Sequence, residues 1–292
     1  PSNWRSELSL PKYLEQNGIP AISGIDTRAL TLKLRTKGVI RGILLPIVDL
    51  ALAPKLLNEL PLFEGRDLIA EVSTKAPYFW KDPIANPSLQ PSAPPPPSNE
   101  AKPRSRRKVV AVDFGLKWNL LRELHRCGLD VEVVPASTSA KEILSRKPAG
   151  VFLSNGPGDP AAAPYAAETV RGILGKIPIF GVCMGHQILG IALGGKTFKL
   201  KFGHRGGNQP VRDVSENRIE ISSHNHGYAV DPRSLPSDTI VTHWNLNDNK
   251  VEGLRSEKYR AFSVQFHPEA CPGPHDSVLL FDQFARMCAE SN

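Results

Sequence analysis

The sequence lacks the long apolar run that a membrane-spanning helix would need. No stretch approaches the roughly 18 consecutive apolar residues of such a span, so no membrane association is predicted. The opening Pro-Ser-Asn-Trp-Arg-Ser has the character of neither a signal peptide nor a transit peptide. We therefore expect the chain to be part of a longer protein, with any targeting segment outside it.

Cysteine is also scarce, and the few thiols do not form a disulfide pattern. The four cysteines are Cys127, Cys183, Cys271 and Cys288, and their spacing matches no disulfide framework. This predicts reduced thiols and an intracellular, reducing compartment.

The positive charge of the chain is concentrated rather than spread. The net charge is +7, from 36 basic and 29 acidic residues. Five basic residues crowd into one segment: Lys102, Arg104, Arg106, Arg107 and Lys108. A nucleic-acid-binding domain would distribute its basic residues over a folded face, so no nucleic-acid partner is predicted.

A proline-rich segment divides the chain into two parts. Four consecutive prolines, Pro94 to Pro97, lie within residues 81–107. Such a run cannot join a sheet or a helix interior and favours an extended spacer. The prediction is a first domain over residues 1–80, a basic linker over 81–107, and a second domain over 108–292.

The first part is predicted to be a small α/β domain. The expected elements are a helix over 8–16, a strand over 21–25, a helix from the cap Asp26 to Leu34, and a strand over 39–47.

The second part alternates between strand and helix patterns. Strands are expected at 109–112, 131–134, 150–153 and 177–180, with helices at 119–127, 139–146 and 164–174 between them. This order predicts an α/β fold with a mostly parallel sheet and helices on both faces. After residue 196 the pattern becomes rich in strands, at 197–201, 218–222, 239–243 and 261–266, and a helix over 281–289 closes it.

One stretch in this domain has the spacing of a catalytic elbow. Gly181-Val-Cys183-Met-Gly185 joins the strand over 177–180 to a helix-compatible run over 187–193. This is the glycine–nucleophile–glycine spacing of a strand-to-helix turn, with Cys as the nucleophile. A thiol there lies at a helix N-terminus, whose partial positive charge favours thiolate.

Three other interpretations of this region are possible. Cys183 could simply fill the core, or Cys183-x-x-His186 could be half of a metal site. Residues 190–197 match the P-loop pattern, but there a helix precedes the first glycine and a strand follows the threonine. A P-loop requires the opposite order, so we interpret this match as chance.

A catalytic cysteine needs a base, and His267-Pro-Glu269 follows a predicted strand. Residues two apart on a strand share a face, so Glu269 can orient the His267 ring and complete a Cys–His–Glu triad. The alternative is an ordinary surface histidine at a strand end.

An oxyanion hole is predicted at the neighbouring turn. Ser154-Asn-Gly156-Pro-Gly158-Asp-Pro160 follows a buried strand, and its glycines allow backbone N–H groups to approach a ligand. The composition also fits an ordinary turn.

Together these motifs resemble a known family. The elbow with Gln187, the Ser154–Pro160 segment and His267-Pro-Glu269 are similar to the class I (triad) glutamine amidotransferases. Four further segments narrow the resemblance to the small subunits of carbamoyl phosphate synthetases: residues 22–28, 201–210, 224–228 and 272–276.

The resemblance implies roles for ten residues. Cys183 is the expected nucleophile, His267 the base and Glu269 its orienter. Backbone N–H groups of Gly158 and Met184 are expected to form the oxyanion hole. The expected glutamine contacts are Gly156, Gln187, Asn225, Gly227 and Tyr228. No residue is expected to bind metal.

The departures from the family pattern are few. Met184 stands where many members have Leu, and Tyr228 where some have Phe. The family's first domain starts earlier and carries a serine that contacts glutamine, which has no counterpart here.

The resemblance implies a glutaminase that supplies ammonia to a large synthetase subunit for arginine and pyrimidine synthesis. ATP and Mg²⁺ would act on that partner, with no cofactor on this chain. The alternatives are a free-standing γ-glutamyl hydrolase and a catalytically silent regulatory or binding subunit. The expected location is a plastid stroma or a bacterial-type cytoplasm, with the proline insert favouring the plastid.

Overall fold

The computed structural model describes residues 1, 6–61, 63–82, 106–271 and 273–290. It divides into two compact units, Pro1–Leu62 and Phe63–Asn292, whereas the sequence analysis ends the first domain at residue 80. The difference arises because Tyr78 and Phe79 pair with a strand of the second unit. The prediction of a proline-rich spacer falls almost entirely on residues 83–105, outside the described residues.

The described part of the first unit is helical. Its elements are α1 (Leu10–Gln16), α2 (Thr27–Lys37), a 3₁₀ helix (Ile47–Leu52) and α3 (Ala53–Glu59). The predicted cap is confirmed, since the Asp26 carboxylate accepts the Ala29 N–H at 2.8 Å. The two strands predicted at 21–25 and 39–47 are wrong. No strand of this unit, within its described residues, is available to pair with their backbone groups.

A single ten-stranded sheet organises the second unit. In spatial order its strands run β1-β3-β2-β4-β5-β10-β9-β8-β6-β7. Their ranges are β1 (Tyr78–Phe79), β2 (Arg107–Asp113), β3 (Leu129–Pro135), β4 (Val151–Leu153), β5 (Ile179–Val182), β6 (Lys196–Asp213), β7 (Arg218–Asp231), β8 (Ile240–Asn245), β9 (Val251–Ser256) and β10 (Ala261–Val264).

Five of the ten strands form a parallel set, the arrangement predicted for the part of the chain where strands and helices alternate. Strands β3, β2, β4, β5 and β10 run parallel to one another. The helices of the unit are α4 (Ile69–Val72), α5 (Trp118–Arg126), α6 (Ala140–Ser145), α7 (Pro164–Ile173), α8 (Met184–Ala192) and α9 (Leu279–Ala289). From β10 outward, the sheet continues as antiparallel pairs through β9, β8, β6 and β7.

Successive side chains along the parallel strands pack alternately into two hydrophobic cores. On β2, Val110 and Val112 pack in the cluster that contains α7 and α8. Val109 and Ala111 pack in the cluster that contains α5 and α9. The helices therefore cover both faces of the parallel strands, and the predicted α/β fold class is confirmed.

No helix in the described ranges is both long and apolar enough to cross a bilayer.

Candidate functional site

Three adjacent parallel strands end at one edge of the sheet. In the register, Gly181 of β5 lies beside Leu153 of β4 and beside Ser263 of β10. The segments that leave these strands therefore emerge side by side at their carboxyl ends, where ligands bind in such sheets. The predicted glycine turn, the Cys183 elbow and the His267 loop all lie at this edge.

Cys183 occupies a sharp turn between β5 and α8. Its φ of 56° and ψ of −102° lie in a region that non-glycine residues rarely adopt. Its N–H donates to the Val264 carbonyl at 2.9 Å, and the Gly185 N–H donates to the Ser154 carbonyl at 2.9 Å. A Cβ on Gly181 would lie 2.7 Å from the Gly185 oxygen. The elbow geometry predicted from the glycine spacing is present.

His267 and Glu269 form a buried pair beside this elbow. The His267 Nδ1 atom lies 2.7 Å from Glu269 Oε1, and the His267 N–H donates to the Ser223 carbonyl at 2.8 Å. Lys117 Nζ lies 3.8 Å from the same carboxylate oxygen. The carboxylate thus holds Nδ1 and leaves Nε2 for the hydrogen bond that the ring forms with the Cys183 side chain.

The charges of this site favour a protonated ring and an ionised carboxylate. Burial lowers the pKa of His267, but the charges of Glu269 and Cys183 outweigh it and raise the pKa to about 10. Burial raises the pKa of Glu269, but the charge and hydrogen bond of His267, with Lys117, bring it below its ordinary value.

A cavity of about 830 Å³ opens over the elbow. Nine of the ten residues that the resemblance singled out line it: Gly156, Gly158, Cys183, Met184, Gln187, Asn225, Gly227, Tyr228 and His267. The tenth, Glu269, contacts the His267 ring from the other side. The structure therefore brings all ten together, while their catalytic and binding roles remain predictions.

The glycine turn after β4 is held rigidly in place. The Ser154 Oγ accepts the Phe114 N–H at 2.9 Å, and the Asn155 Oδ1 accepts the Lys117 N–H at 3.0 Å. Gly158 has a φ of 94°, which favours glycine. Met184 is the first residue of α8, so its N–H has no acceptor within the helix.

Two predicted glutamine contacts differ in what they can offer a ligand. The Gln187 Nε2 donates to the Tyr228 carbonyl at 2.8 Å and to Gln265 Oε1 at 2.9 Å. Both of its N–H groups are thus used, which leaves the amide oxygen for the cavity. Burial, with the charges of Asp159 and Glu64, raises the pKa of Tyr228 to about 12, so its phenol stays neutral.

The sequence analysis missed Arg205 of β6, which also lines the cavity. Its Nη1 donates to the His204 carbonyl at 2.8 Å and to the His226 carbonyl. Burial lowers the pKa of Arg205, and the Cys183 charge opposes that shift. Arg205 falls within the segment 201–210 that contributes to the family resemblance, but no role was expected of it, because the β6–β7 pairing is what brings it to the cavity.

A second group of polar side chains was missed as well. His204, His224, His226 and Glu252 are all buried, and one potential ligand atom from each lies within 4.8 Å of the others. Burial lowers the pKa of His224 to about 3 and that of His226 well below its ordinary value, so both imidazoles are neutral. The one signal in the sequence is His224-x-His226, whose spacing puts both rings on one face of a strand.

Among the described residues, no group of potential metal ligands contains both His186 and Cys183. The His186 Nδ1 lies 2.9 Å from the Ser263 hydroxyl, and its ring is fully buried. Burial, with a contribution from His243, lowers its pKa to about 3. The P-loop match also proves incidental, since α8 precedes it and β6 follows.

Comparisons with known proteins agree with this geometry. Residues 110–287 match the family model for class-I glutamine amidotransferases. Residues 1–44 match that of the CPSase domain of the carbamoyl-phosphate synthase small chain. A protein of Thermoplasma acidophilum, provisionally named as part of a GMP synthase, shares the fold with a TM-score of 0.54 and 21% identity. That match covers 64% of this chain and 96% of the other.

Two relatives match nearly the whole chain. The carbamoyl phosphate synthase small chain of Syntrophotalea carbinolica is 51% identical over 98% of this chain and 75% of its own length. The chloroplastic small chain of Oryza sativa subsp. japonica is 48% identical over 98% of this chain and 63% of its own. The chain belongs to the family of carbamoyl phosphate synthase small chains and carries its class I glutamine amidotransferase domain.

Proposed function

We propose that this chain hydrolyses L-glutamine and passes the ammonia to a large carbamoyl phosphate synthase chain. That partner would make carbamoyl phosphate from bicarbonate and ATP. The observation that carries the proposal is that Cys183 and His267 line one cavity, with Glu269 bound to the far side of the His267 ring at 2.7 Å.

In the first half-reaction the Cys183 sulfur attacks the carboxamide carbon of glutamine. The carbonyl electrons move to oxygen, where N–H groups of Gly158 and Met184 would donate hydrogen bonds to the negative charge. His267 gives its Nε2 proton to the nitrogen, the C–N bond breaks, and ammonia leaves a glutamyl thioester. The raised pKa of His267 keeps that proton available at neutral pH.

In the second half-reaction water attacks the thioester carbon. His267, now neutral, takes the proton from the water, the C–S bond breaks, and glutamate leaves with the thiolate restored. Glu269 would stabilise the imidazolium in both halves and hold its tautomer. None of these steps needs a cofactor on this chain, and we place ATP and Mg²⁺ on the large chain.

The two alternatives explain less of the chain. A free-standing γ-glutamyl hydrolase would have no use for residues 1–44, which match the CPSase domain. A silent binding subunit would not need Cys183, His267 and Glu269 arranged together at one cavity.

We also propose a reducing compartment, either a plastid stroma or a bacterial-type cytoplasm. The four cysteines are free thiols, and the relatives include both chloroplastic and bacterial proteins. Within this pair the proline-rich insert of the sequence favours the plastid.

The test is the Cys183→Ser variant, purified together with the large chain. Glutamine-dependent formation of carbamoyl phosphate should be lost, because a hydroxyl lacks the nucleophilicity of a thiolate. Formation from added ammonium chloride should persist. Cys271→Ser, which removes an exposed thiol, is the control and should behave as wild type. If Cys183→Ser retains wild-type glutamine-dependent activity, the proposal is wrong.

A further inference from the structure

Three strands of the antiparallel half of the sheet bring a compact group of metal-ligating side chains together. His204 lies on β6, His224 and His226 on β7, and Glu252 on β9. All four are buried. Neither Cys183 nor Glu269 belongs to this group, which we call the histidine cluster.

The spacing of the ligand atoms suits a small metal ion. The His224 Nδ1 lies 3.2 Å from the His226 Nε2 and 3.6 Å from Glu252 Oε2. The His204 Nδ1 lies 3.0 Å from Glu252 Oε1. Ligands about 2.0–2.1 Å from a tetrahedral zinc ion are about 3.3 Å apart. The separations among His224, His226 and Glu252 Oε2 are close to this value, while His204 faces the other carboxylate oxygen of Glu252.

The second nitrogen of every ring is already held from outside the histidine cluster. The His204 Nε2 lies 3.0 Å from Asp248 Oδ2. The His224 Nε2 lies 2.7 Å from the Ser222 Oγ, and the His226 Nδ1 lies 2.8 Å from the Tyr228 carbonyl. Metal-binding histidines almost always have such an outer partner, which fixes the tautomer and aims the other nitrogen at the metal.

The outer partners of two rings bear on which of their nitrogens carries hydrogen. The Tyr228 carbonyl can only accept, so His226 Nδ1 carries the hydrogen and Nε2 a lone pair. The Ser222 hydroxyl has one hydrogen, and its oxygen lies 3.0 Å from the Gln209 carbonyl and 2.7 Å from His224 Nε2. When Ser222 donates to Gln209, its oxygen accepts from His224 Nε2, and His224 Nδ1 also bears a lone pair.

In that arrangement the two lone pairs face each other at 3.2 Å. Close by, Glu252 Oε2 is buried without a hydrogen-bond partner. Its side chain is 0% exposed. Three acceptors converging in a buried space are unfavourable unless a cation binds them.

We propose that His204, His224, His226 and Glu252 bind one divalent transition-metal ion, with Zn²⁺ the best match to three imidazoles and one carboxylate. Four protein ligands close the coordination shell, which makes this a structural site rather than a catalytic one. His226 itself lines the cavity, between Asn225 and Gly227, which also line it. The ion would thus fix the segment of β7 that borders the glutamine site.

Measuring the metal content of the protein tests the proposal directly. Protein carrying Cys183→Ser, which prevents the thiol from taking metal, is stripped with a chelator and dialysed against Zn²⁺ or Co²⁺. We expect about one ion per chain and, with Co²⁺, the intense visible bands of tetrahedral coordination. Glu252→Gln and His224→Gln should lose both signals.

The control is His243→Gln, which changes a buried histidine on β8 outside the histidine cluster. It should bind metal like the parent. Zn²⁺ should also raise the melting temperature of the stripped parent protein, since a ligand bound only to the folded state stabilises it. This readout does not depend on how the variants fold.

The proposal is overturned if the stripped parent protein takes up no Zn²⁺ or Co²⁺ and its melting temperature does not respond. It is also overturned if Glu252→Gln and His224→Gln bind as well as the parent. None of these measurements uses glutamine hydrolysis, so their outcome is independent of the proposed function.

Discussion

Glu269 lies between two cationic groups, with Oε1 2.7 Å from the His267 ring nitrogen and 3.8 Å from the Lys117 ammonium. Glu269 is 3% exposed and His267 4% exposed, whereas the Lys117 side chain is 52% exposed. His267 therefore contributes more than Lys117 to keeping the Glu269 carboxylate ionised. Removing either member would leave a buried charge without its counter-charge.

Substitutions of His267 and Glu269 should lower the catalytic rate without weakening glutamine binding to the same extent. Glu269→Gln keeps the shape but removes the charge that stabilises imidazolium, so kcat should fall while KM for glutamine changes little. His267→Asn should be worse, by about 10²–10⁴-fold in kcat, because the acid–base group is gone. Steady-state glutaminase kinetics of both variants measure this ranking.

Lys117→Gln is the matched control, since it removes the weaker and more exposed of the two cationic partners. It should affect kcat less than Glu269→Gln. A higher KM with an unchanged kcat in Glu269→Gln would instead mean that the carboxylate contacts glutamine, which would contradict the assigned orienting role.

The raised pKa of His267 predicts the alkaline limit of activity. The ring must carry a proton to release ammonia, so kcat/KM should fall as pH rises through about 10. Glu269→Gln removes a charge that raises this pKa, so the fall should move to lower pH. Profiles of kcat/KM against pH test this, and substrate ionisation is the same for both proteins. Superimposable alkaline limbs would refute it.

Much of the second unit could be predicted because its local patterns agree with its tertiary structure. The strand predicted at 109–112 is β2, and the helix predicted from Ser139 begins there with a capping box. The glycines flanking Cys183 predicted the elbow because close backbone contacts at Gly181 and Gly185 exclude larger residues. The triad motif predicted which side chains meet.

Other features depend on contacts that no local pattern records. Strand β9 was missed because Glu252 and Gly253 interrupt its apolar pattern, yet both are buried. Burial of Glu252 depends on His204 of β6 and Asn245 of β8. In the first unit, β-favouring runs at 21–25 and 39–47 form no strand.

Arg205 provides a prediction about thiol reactivity. Its guanidinium lines the same cavity as Cys183, and it interacts electrostatically with that side chain. Arg205→Gln should slow alkylation of Cys183 by iodoacetamide at neutral pH. Because the guanidinium is partly exposed, water screens the attraction, and a reduction of about two- to fivefold is expected.

The alkylation rates should be compared in a Cys271→Ser background, since Cys271 is exposed and would react as well. Arg212→Gln is the matched control: Arg212 is on the same strand, but it is exposed and donates to Asn217. If both substitutions slow alkylation equally, the effect reflects net charge and not a contact at the site.

Gly185 should be the least replaceable residue of the elbow. A Cβ there would lie 2.7 Å from the Leu153 carbonyl carbon and closer still to its oxygen, so α8 would have to move away from β4. Overpacking of this kind costs about 1–3 kcal/mol, and Gly185→Ala should lower the melting temperature by about 2–12 °C. Gly207→Ala is the control, because its Cβ would meet Pro274 Cδ at an ordinary 3.5 Å. Calorimetry that gives both variants the same melting temperature would mean that the elbow accommodates a side chain at Gly185 and that the glycine spacing is incidental.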